Sequence, residues 1–215
     1  MSKENSNRIL ISSKRRLLDY RGFMRIDEYD FSFITANAEA GRTEKAVNVD
    51  RGNAIAILVH IAGSQHKLRL VRQFRLSTVL GPDHAAATLP TEVVLTDAAI
   101  LELPAVVRKD NETVEDAIRR AALNEACVRV ESFENVSSFY PSTGACSEKI
   151  DLFYVQVSAE DDDETVQRPG RSLELVDFSP REFFEAIERG TICDGKCFVA
   201  AEWMRRDAVR DRFGI

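Results

Sequence analysis

The chain has 215 residues, of which 44% are hydrophobic and 30% are charged, with a formal net charge of -6 and a pI near 5.3. This length and composition predict a soluble globular domain with a substantial core, because disordered chains carry too few apolar side chains to form one. The acidic balance and the dispersed basic residues exclude a general nucleic-acid surface, which needs clustered lysine and arginine.

The first residues of the chain and its cysteines indicate the compartment in which the protein is expected. Residues 1–7 are polar and lack the apolar core of a secretory signal, and the longest apolar run, Ala54 to Ala62, is too short to span a bilayer. We therefore expect a cytoplasmic protein that does not enter a membrane. A zinc site at Cys193 and Cys197 is less favoured than a turn with two thiols, because no histidine lies nearby. All four cysteines are interpreted as reduced thiols.

The first fifty residues alternate between apolar and polar side chains in short bursts, which is the period of a β-strand. The bursts are Ile9 to Ile11, Phe23 to Ile26 and Tyr29 to Phe33. We interpret residues 1–48 as an N-terminal β subdomain used in dimerisation, and residues 49–215 as the main domain.

The main domain opens with a predicted hairpin. Ala54 to Ile61 is a continuous apolar run, typical of a buried central strand, and Leu68 to Phe74 follows a short turn as its partner. Residues 77–99 then form a long connection containing Gly81-Pro82. For this connection the sequence leaves a functional loop and a partly helical insertion open.

Helices are predicted in the second half of the chain. Thr113 to Ala126 is the clearest one, because Thr113 can cap it and Asp116 stands at the capping-box spacing. Ser179-Pro180-Arg181-Glu182 is a strong start for a second helix ending near Arg189. The other late segments are a strand at 150–157, an exposed loop at 160–171, a strand at 173–178 and a helix at 196–207. This order predicts an α+β fold, an α/β/α sandwich with a mixed β-sheet.

The stretch from Val106 to Val128 resembles the Nudix box. That pattern is a glycine, five residues, a glutamate, seven residues, and then Arg-Glu-apolar-X-Glu-Glu-X-Gly-apolar. The agreeing positions are Glu112, Arg120, Ala122, Glu125 and Val128. The departing positions are Val106, Ala121, Asn124 and Cys127.

Segments around the box resemble the ADP-ribose and GDP-mannose hydrolases of the Nudix superfamily, in the same order over roughly residues 9 to 205. They are Asp50–Ala54, Val71–Arg75, Glu102–Ala105, Tyr140–Gly144 with Glu148, Arg189-Gly190 and Asp194–Lys196. The resemblance implies the Nudix fold with an N-terminal antiparallel β subdomain. It also implies a homodimer whose N-terminal strands swap, and a nucleoside diphosphate sugar as the partner molecule.

The resemblance also implies a metal site. In active family members, glutamates at positions 121, 124 and 125 share one helix face and hold Mg²⁺ together with the carbonyl at the position of Ala105. Hard divalent cations need several oxygen ligands, and only Glu125 remains here, so we expect weak or absent Mg²⁺, with Mn²⁺ as an alternative. Two functions stay open: slow hydrolysis of the phosphoanhydride, or a catalytically inactive protein that binds or senses the nucleotide sugar.

A loop before the late strand carries a further departure from the family. Family members place a glutamate there to orient or deprotonate water, whereas residues 167–172 contain no acid and two arginines, Arg168 and Arg171. The acidic run 161–164 is interpreted as a solvated loop. Val106 stands at the family glycine, where a backbone with positive φ would be strained.

The candidate site residues follow from this resemblance. The catalytic candidates are Glu125, Arg120 and Glu112. The metal candidates are Ala105, Glu125 and Glu102. The substrate candidates are Arg51, Arg72, Arg75, Glu148 and Arg171, of which Arg171 could neutralise a diphosphate where Mg²⁺ acts in the family.

Structural alternatives stay open for most of these candidates. Glu125 could pair with Arg129, and Glu102 could be a strand-end carboxylate bound to the box helix. Glu112 and Arg120 are interpreted as a pair that holds the loop against the helix. The arginines at positions 51, 72 and 75 could equally form surface salt bridges.

Overall fold

A computed structural model describes residues 8–34, 41–63, 65–78, 98–158 and 173–215 of the chain. The chain divides into two compact units. The first joins Met1–Asn53 to Phe139–Ile150, and the second joins Ala54–Ser138 to Asp151–Ile215. Most of the predicted connection 77–99 and the predicted loop 160–171, with Arg168 and Arg171, lie outside the described residues.

The first unit contains a three-stranded antiparallel sheet. Its strands are β1 (Arg8–Tyr20), β2 (Met24–Ile34) and β3 (Glu44–Asp50), in the order β1-β2-β3. Arg21 and Gly22 both have positive φ, as the tight turns that match the twist of a hairpin require. The predicted N-terminal strands are confirmed and are longer than predicted, except that Phe23 lies in the turn. We did not predict β3.

The second unit is built on a seven-stranded sheet. A path of hydrogen-bonded neighbours runs β10-β5-β4-β9-β8, with β6 on β5 and β7 on β4. The strands are β4 (Ala54–Ala62), β5 (Lys67–Phe74), β6 (Ala99–Glu102), β7 (Ala105–Val107), β8 (Glu134–Phe139), β9 (Ile150–Ser158) and β10 (Leu173–Phe178). The strands predicted at 54–61, 68–74, 150–157 and 173–178 are therefore confirmed.

Helices cover both faces of this sheet. On one face, alternate residues of β4 and β9 such as Ile57 and Val155 form a buried cluster with helix α1 (Val114–Ala126). On the other face, Tyr154 of β9 packs against Trp203 of helix α3 (Gly195–Met204). Burial on both faces explains why β4 is apolar without alternation. The predicted α+β fold, an α/β/α sandwich with a mixed sheet as in the Nudix fold, is confirmed.

The predicted caps set the helix starts. The Thr113 side chain accepts from the Asp116 N–H, and Ser179 and Glu182 complete a capping box on helix α2 (Pro180–Glu188). The helix predicted over 196–207 is confirmed as far as Met204, but its predicted end is wrong. Helix α3 ends at Met204, and a short helix α4 (Asp207–Arg210) follows after Arg206 leaves helical geometry with ψ 135°. No helix in the described ranges is long and apolar enough to cross a membrane.

Candidate functional site

The start of the box is a strand rather than a strained turn. Val106 pairs with Ile55 across β7 and β4, and its side chain is buried in the cluster beneath α1. Positive φ among non-glycine residues of the described chain is confined to Arg21, Asn111 and Cys127. The strain considered for Val106 is therefore absent, because an extended β-branched residue fits a strand without cost.

The carbonyl of Ala105 points away from β4. Ala105 lies opposite Ala56, and the Ile57 N–H donates to the Pro104 carbonyl at 3.0 Å. Hydrogen-bonded and non-bonded pairs alternate along an antiparallel ladder, so Ala56 and Ala105 form a non-bonded pair. The ladder to β4 therefore leaves the Ala105 oxygen available as the ligand that the resemblance implies.

A bidentate ion pair holds the loop before α1 against that helix. Arg120 donates to both carboxylate oxygens of Glu112, at 2.7 and 2.8 Å, and to the Val107 carbonyl at 2.9 Å. This side-chain bond, helped by the Lys109 N–H, lowers the pKa of Glu112 to about 2. The predicted pairing is confirmed. Because both side chains are bonded to each other and to the loop, the geometry assigns them a structural part, and their catalytic role stays a prediction.

The three helix positions that bind metal in the family differ in their burial in this chain. Ala121 is fully buried within the apolar cluster, Asn124 is exposed and Glu125 is half-buried. The hydrogen bond that Arg120 donates to Glu112 is the main cause that raises the pKa of Arg120, and the charge of the Glu125 carboxylate adds to it. Glu125 therefore lies at the edge of the helix near Arg120, between the core and the solvent.

One departure from the box lies at the C-terminal end of α1. Cys127 stands where the pattern has glycine, and it caps the helix in the left-handed conformation with φ 55°. Glycine is favoured at such a cap because it lacks a Cβ. The helix end that the family builds with glycine is thus formed here by a buried cysteine.

Glu102 lies in a buried ionic network. Its Oε1 accepts from Arg75 Nε at 2.8 Å and its Oε2 accepts from Lys196 Nζ at 3.0 Å. Lys196 also donates to Asp194 at 2.9 Å, and Asp194 accepts a longer bond of 3.4 Å from the Leu103 N–H. Burial alone would lower the pKa of Lys196, but the charges of Asp194 and Glu102 outweigh it and raise that pKa.

The sequence suggested two roles for Glu102, a metal ligand or a carboxylate bound to the box helix, and this network differs from both. Glu102 bonds to Arg75 and to helix α3, not to the box helix, and two cations already neutralise its charge. The role of Glu102 as a metal ligand stays a prediction, and a metal ion would have to compete with Arg75 and Lys196 for its carboxylate. Lys196 and Asp194 were not chosen as site residues. The sequence does contain a sign of this network: Asp194 and Lys196 lie two positions apart at the start of a largely apolar helix, where a buried charge needs a partner.

The remaining substrate candidates form pairs within their own units. In the second unit, Arg72 bonds Glu174 across β5 and β10 at 3.0 Å, on the exposed surface. In the first unit, Arg51 lies 4.0 Å from the half-buried Glu148 and 5.7 Å from the centre of the Phe23 ring.

Oxygen ligands are scarce around the box. Within the part of the chain that the structure describes, no group of three or more His, Cys, Asp or Glu side chains could hold a metal ion. The oxygens at the box that remain suited to a cation are the Ala105 carbonyl, the exposed Asn124 amide and the Glu125 carboxylate. Mg²⁺ bound to so few protein oxygens would have to take its other ligands from phosphate and water.

Known proteins resemble this chain over most of its length, although no family model matches it. A GDP-mannose pyrophosphatase of Yersinia enterocolitica is 27% identical over 198 residues, 91% of this chain and 95% of that protein. An ADP-ribose pyrophosphatase of Escherichia coli K12 is 25% identical over 195 residues, 86% of this chain and 83% of that protein. A GDP-mannose pyrophosphatase of Cronobacter sakazakii is 28% identical over 167 residues, 75% of this chain and 78% of that protein.

Proposed function

We propose that this chain is a Nudix-superfamily protein that recognises a nucleoside diphosphate sugar and hydrolyses its phosphoanhydride slowly with a weakly held Mg²⁺ or Mn²⁺. The observation that carries the proposal is the bond of Arg120 to Glu112 and to the Val107 carbonyl, which ties the strand–loop–helix unit together. This unit holds strand β7, which carries the Ala105 carbonyl, beside helix α1, which carries Asn124 and Glu125.

The proposed chemistry assigns a part to each remaining oxygen. Ala105, Asn124 and Glu125 would hold the cation, which supplies charge neutralisation of the diphosphate and an activated water. Glu112 and Arg120 would hold the loop in place. Arg51, Arg72, Arg75, Glu148 and Arg171 stay candidates for substrate recognition, and single variants can test each of them.

A second candidate function is a silent binder or regulator that recognises the nucleotide sugar without turning it over. Two observations favour it. Ala121 is a core residue instead of a glutamate, and the carboxylate of Glu102 is bonded to Arg75 and Lys196. With fewer carboxylates the protein binds the cation more weakly, so the cation is less often in place to stabilise the charge that develops on the leaving phosphate.

Glu125→Gln separates the two functions. If the chain is a slow enzyme, this variant should lower hydrolysis of ADP-ribose and GDP-mannose in Mg²⁺ or Mn²⁺ by at least about 100-fold, because it neutralises the one carboxylate left among positions 121, 124 and 125. Glu115→Gln on the exposed side of the same helix is the matched control and should keep wild-type turnover. Phosphate release after treatment with a phosphatase measures the reaction, and calorimetry measures binding.

The outcomes differ between the two functions. Turnover that needs the cation and falls only in Glu125→Gln supports the slow enzyme. Binding of either nucleotide sugar without turnover supports the silent binder. A chain that neither binds nor hydrolyses these compounds refutes both.

We also propose that the chain forms a homodimer through its N-terminal sheet. Ile9, Ile11 and Phe33 gather on one face of β1 and β2, since Ile9 lies opposite Phe33, and they are 60%, 62% and 50% exposed. Contiguous apolar patches are rare on proteins that stay monomeric, because water disfavours them. A second copy of the same sheet is the partner that matches this face.

Sedimentation equilibrium tests the dimer. The wild type should sediment at about twice its 24.2 kDa mass at micromolar concentration. The double variant Ile9→Lys, Ile11→Lys should sediment as a monomer, because it places two charges in the proposed interface. Leu10→Lys, on the opposite face of β1, should remain dimeric. A monomeric wild type would contradict the proposal.

A further inference from the structure

A chain of hydrogen bonds centred on the buried His60 and Tyr154 runs through the face of the main sheet that is opposite α1. His60 of β4 is 1% exposed, and its Nδ1 lies 2.7 Å from the Tyr154 hydroxyl. Its Nε2 lies 2.9 Å from Nδ1 of His66. The Tyr154 hydroxyl in turn donates to Oε1 of Gln156 at 2.8 Å. The chain links a cavity of about 480 Å³ beside Gln156 to one of about 390 Å³ beside His66.

One assignment of protons satisfies all three bonds when the Tyr154 hydroxyl donates to Gln156. The single proton of the Tyr154 hydroxyl goes to Gln156, so the Tyr154 oxygen accepts from His60 Nδ1–H. Nε2 of His60 then carries the lone pair and accepts from His66 Nδ1–H. A further proton on His60 Nε2 would face that N–H at 2.9 Å. Neutral His60 thus fits the chain, and charged His60 does not while His66 keeps this tautomer.

The end of the chain covers these side chains. The ring of Phe213, which is 2% exposed, lies 4.9 Å from His60 and 5.7 Å from Tyr154. Arg212 lies over the rings of Tyr154 and Trp203 and binds Glu134 at 2.6 Å. Phe213 therefore excludes water from His60, while Arg212 fastens the same segment to β8.

The pKa values of His60 and Tyr154 are both shifted in this covered layer. Burial, and secondly the nearby His66, lower the pKa of His60 to about 4, and burial raises the pKa of Tyr154 to about 12. In the unfolded or opened chain the imidazole regains its usual pKa near 6.5. The closed state therefore loses stability as the pH falls from 6.5 towards 4, because only the opened state accepts the proton.

We propose that residues 207–214 form an acid-opened latch, which closes over His60 and Tyr154 while His60 is neutral and opens when a proton reaches His60 Nε2. Opening admits water that solvates the imidazolium, which the ring of Phe213 otherwise shields from solvent. Phe213 and Arg212 are the parts of the latch that leave.

Other ionisable groups face this layer and must be separated from His60. Lys67, Asp177, Arg181 and Glu182 line the cavity beside His66, and Glu134 lines the one beside Tyr154. Asp177 is bonded to Arg69, Arg181 to Glu185 and Glu182 to Ser179, so each already has a partner. Glu134 is the carboxylate bonded to the latch itself, which makes Glu134→Gln the matched control.

Hydrogen exchange read by mass spectrometry tests the latch. After correction for the intrinsic pH dependence, the opening constant of amides in residues 207–214 should rise about tenfold per pH unit between 6.5 and 4. Far-UV circular dichroism should stay unchanged, because the opening is local. His60→Leu should open to the same extent at every pH in this range, and Glu134→Gln should keep the wild-type slope.

Three results would overturn the proposal. The first is an opening slope that persists in His60→Leu, and the second is a slope that disappears in Glu134→Gln. The third needs no variant: nitrogen chemical shifts of the wild type at pH 7 that place the His60 proton on Nε2. Quenching of Trp203, the single tryptophan of the sequence, reports on the same layer and should rise with the exchange.

Discussion

Ala121→Glu should destabilise the protein by at least about 3 kcal/mol, because it places a carboxylate in an apolar cluster that offers no partner. Ala121 is fully buried and packs with Ile55 and Val106 beneath α1. Asn124→Glu, three residues along the same helix, should change stability by less than about 0.5 kcal/mol, because Asn124 is exposed. Urea unfolding followed by circular dichroism measures both variants.

This contrast decides how the family's carboxylates can be restored. If Ala121→Glu is as stable as Asn124→Glu, the helix turns its 121 face to solvent, and our description of the burial of these positions is wrong. If the expected difference is found, Asn124→Glu is the useful variant for the hydrolysis assay. It adds a second carboxylate next to Glu125 without unfolding the helix.

Glu102→Gln should also lower stability by about 2 kcal/mol, because Arg75 and Lys196 both lose a charged acceptor and the buried Lys196 keeps only Asp194. The Glu102 carboxylate is 5% exposed and bonds Arg75 and Lys196. Glu174→Gln removes the exposed carboxylate that binds Arg72 and is the matched control. Its effect should stay below about 1 kcal/mol. Urea unfolding measures both variants in the absence of divalent cations.

The same variant tests the metal role predicted for Glu102. A metal ligand would leave the stability of the cation-free protein almost unchanged and would weaken the response of stability or turnover to Mn²⁺. If the carboxylate is structural, its replacement would lower the stability of the cation-free protein and would leave the response to Mn²⁺ almost unchanged. Finding full stability together with a lost Mn²⁺ response would contradict the network as the main role of Glu102.

Much of the second unit could be predicted because its signals are local. Three local signals each specify one element through nearby atoms: the apolar run of β4, the Thr113 cap and the Ser179–Glu182 capping box. The break after Met204 was missed, because the segment beyond it carries the same helix-forming residues and Arg206 leaves the helix without a glycine or proline to mark the change.

The site was predicted in part for the same reason. The Glu112–Arg120 pair lies within one loop and one helix, so spacing was enough to find it. The partners of Glu102 are separated from it by 27 and 94 positions, and only the packing of β6 against β5 and α3 brings them together. Spacing also put residues 121, 124 and 125 on one face, without telling which part of that face the core would take.

The sequence by itself determined the α+β class, the main strands, the capped helices and the depletion of carboxylates in the box, because period, capping chemistry and residue identity are local properties. Only the tertiary structure decided that Ala121 belongs to the core, that Glu102 is neutralised by Arg75 and Lys196, and that His60 lies beneath Phe213. Burial and long-range pairing depend on how distant segments pack, which no short window of residues contains.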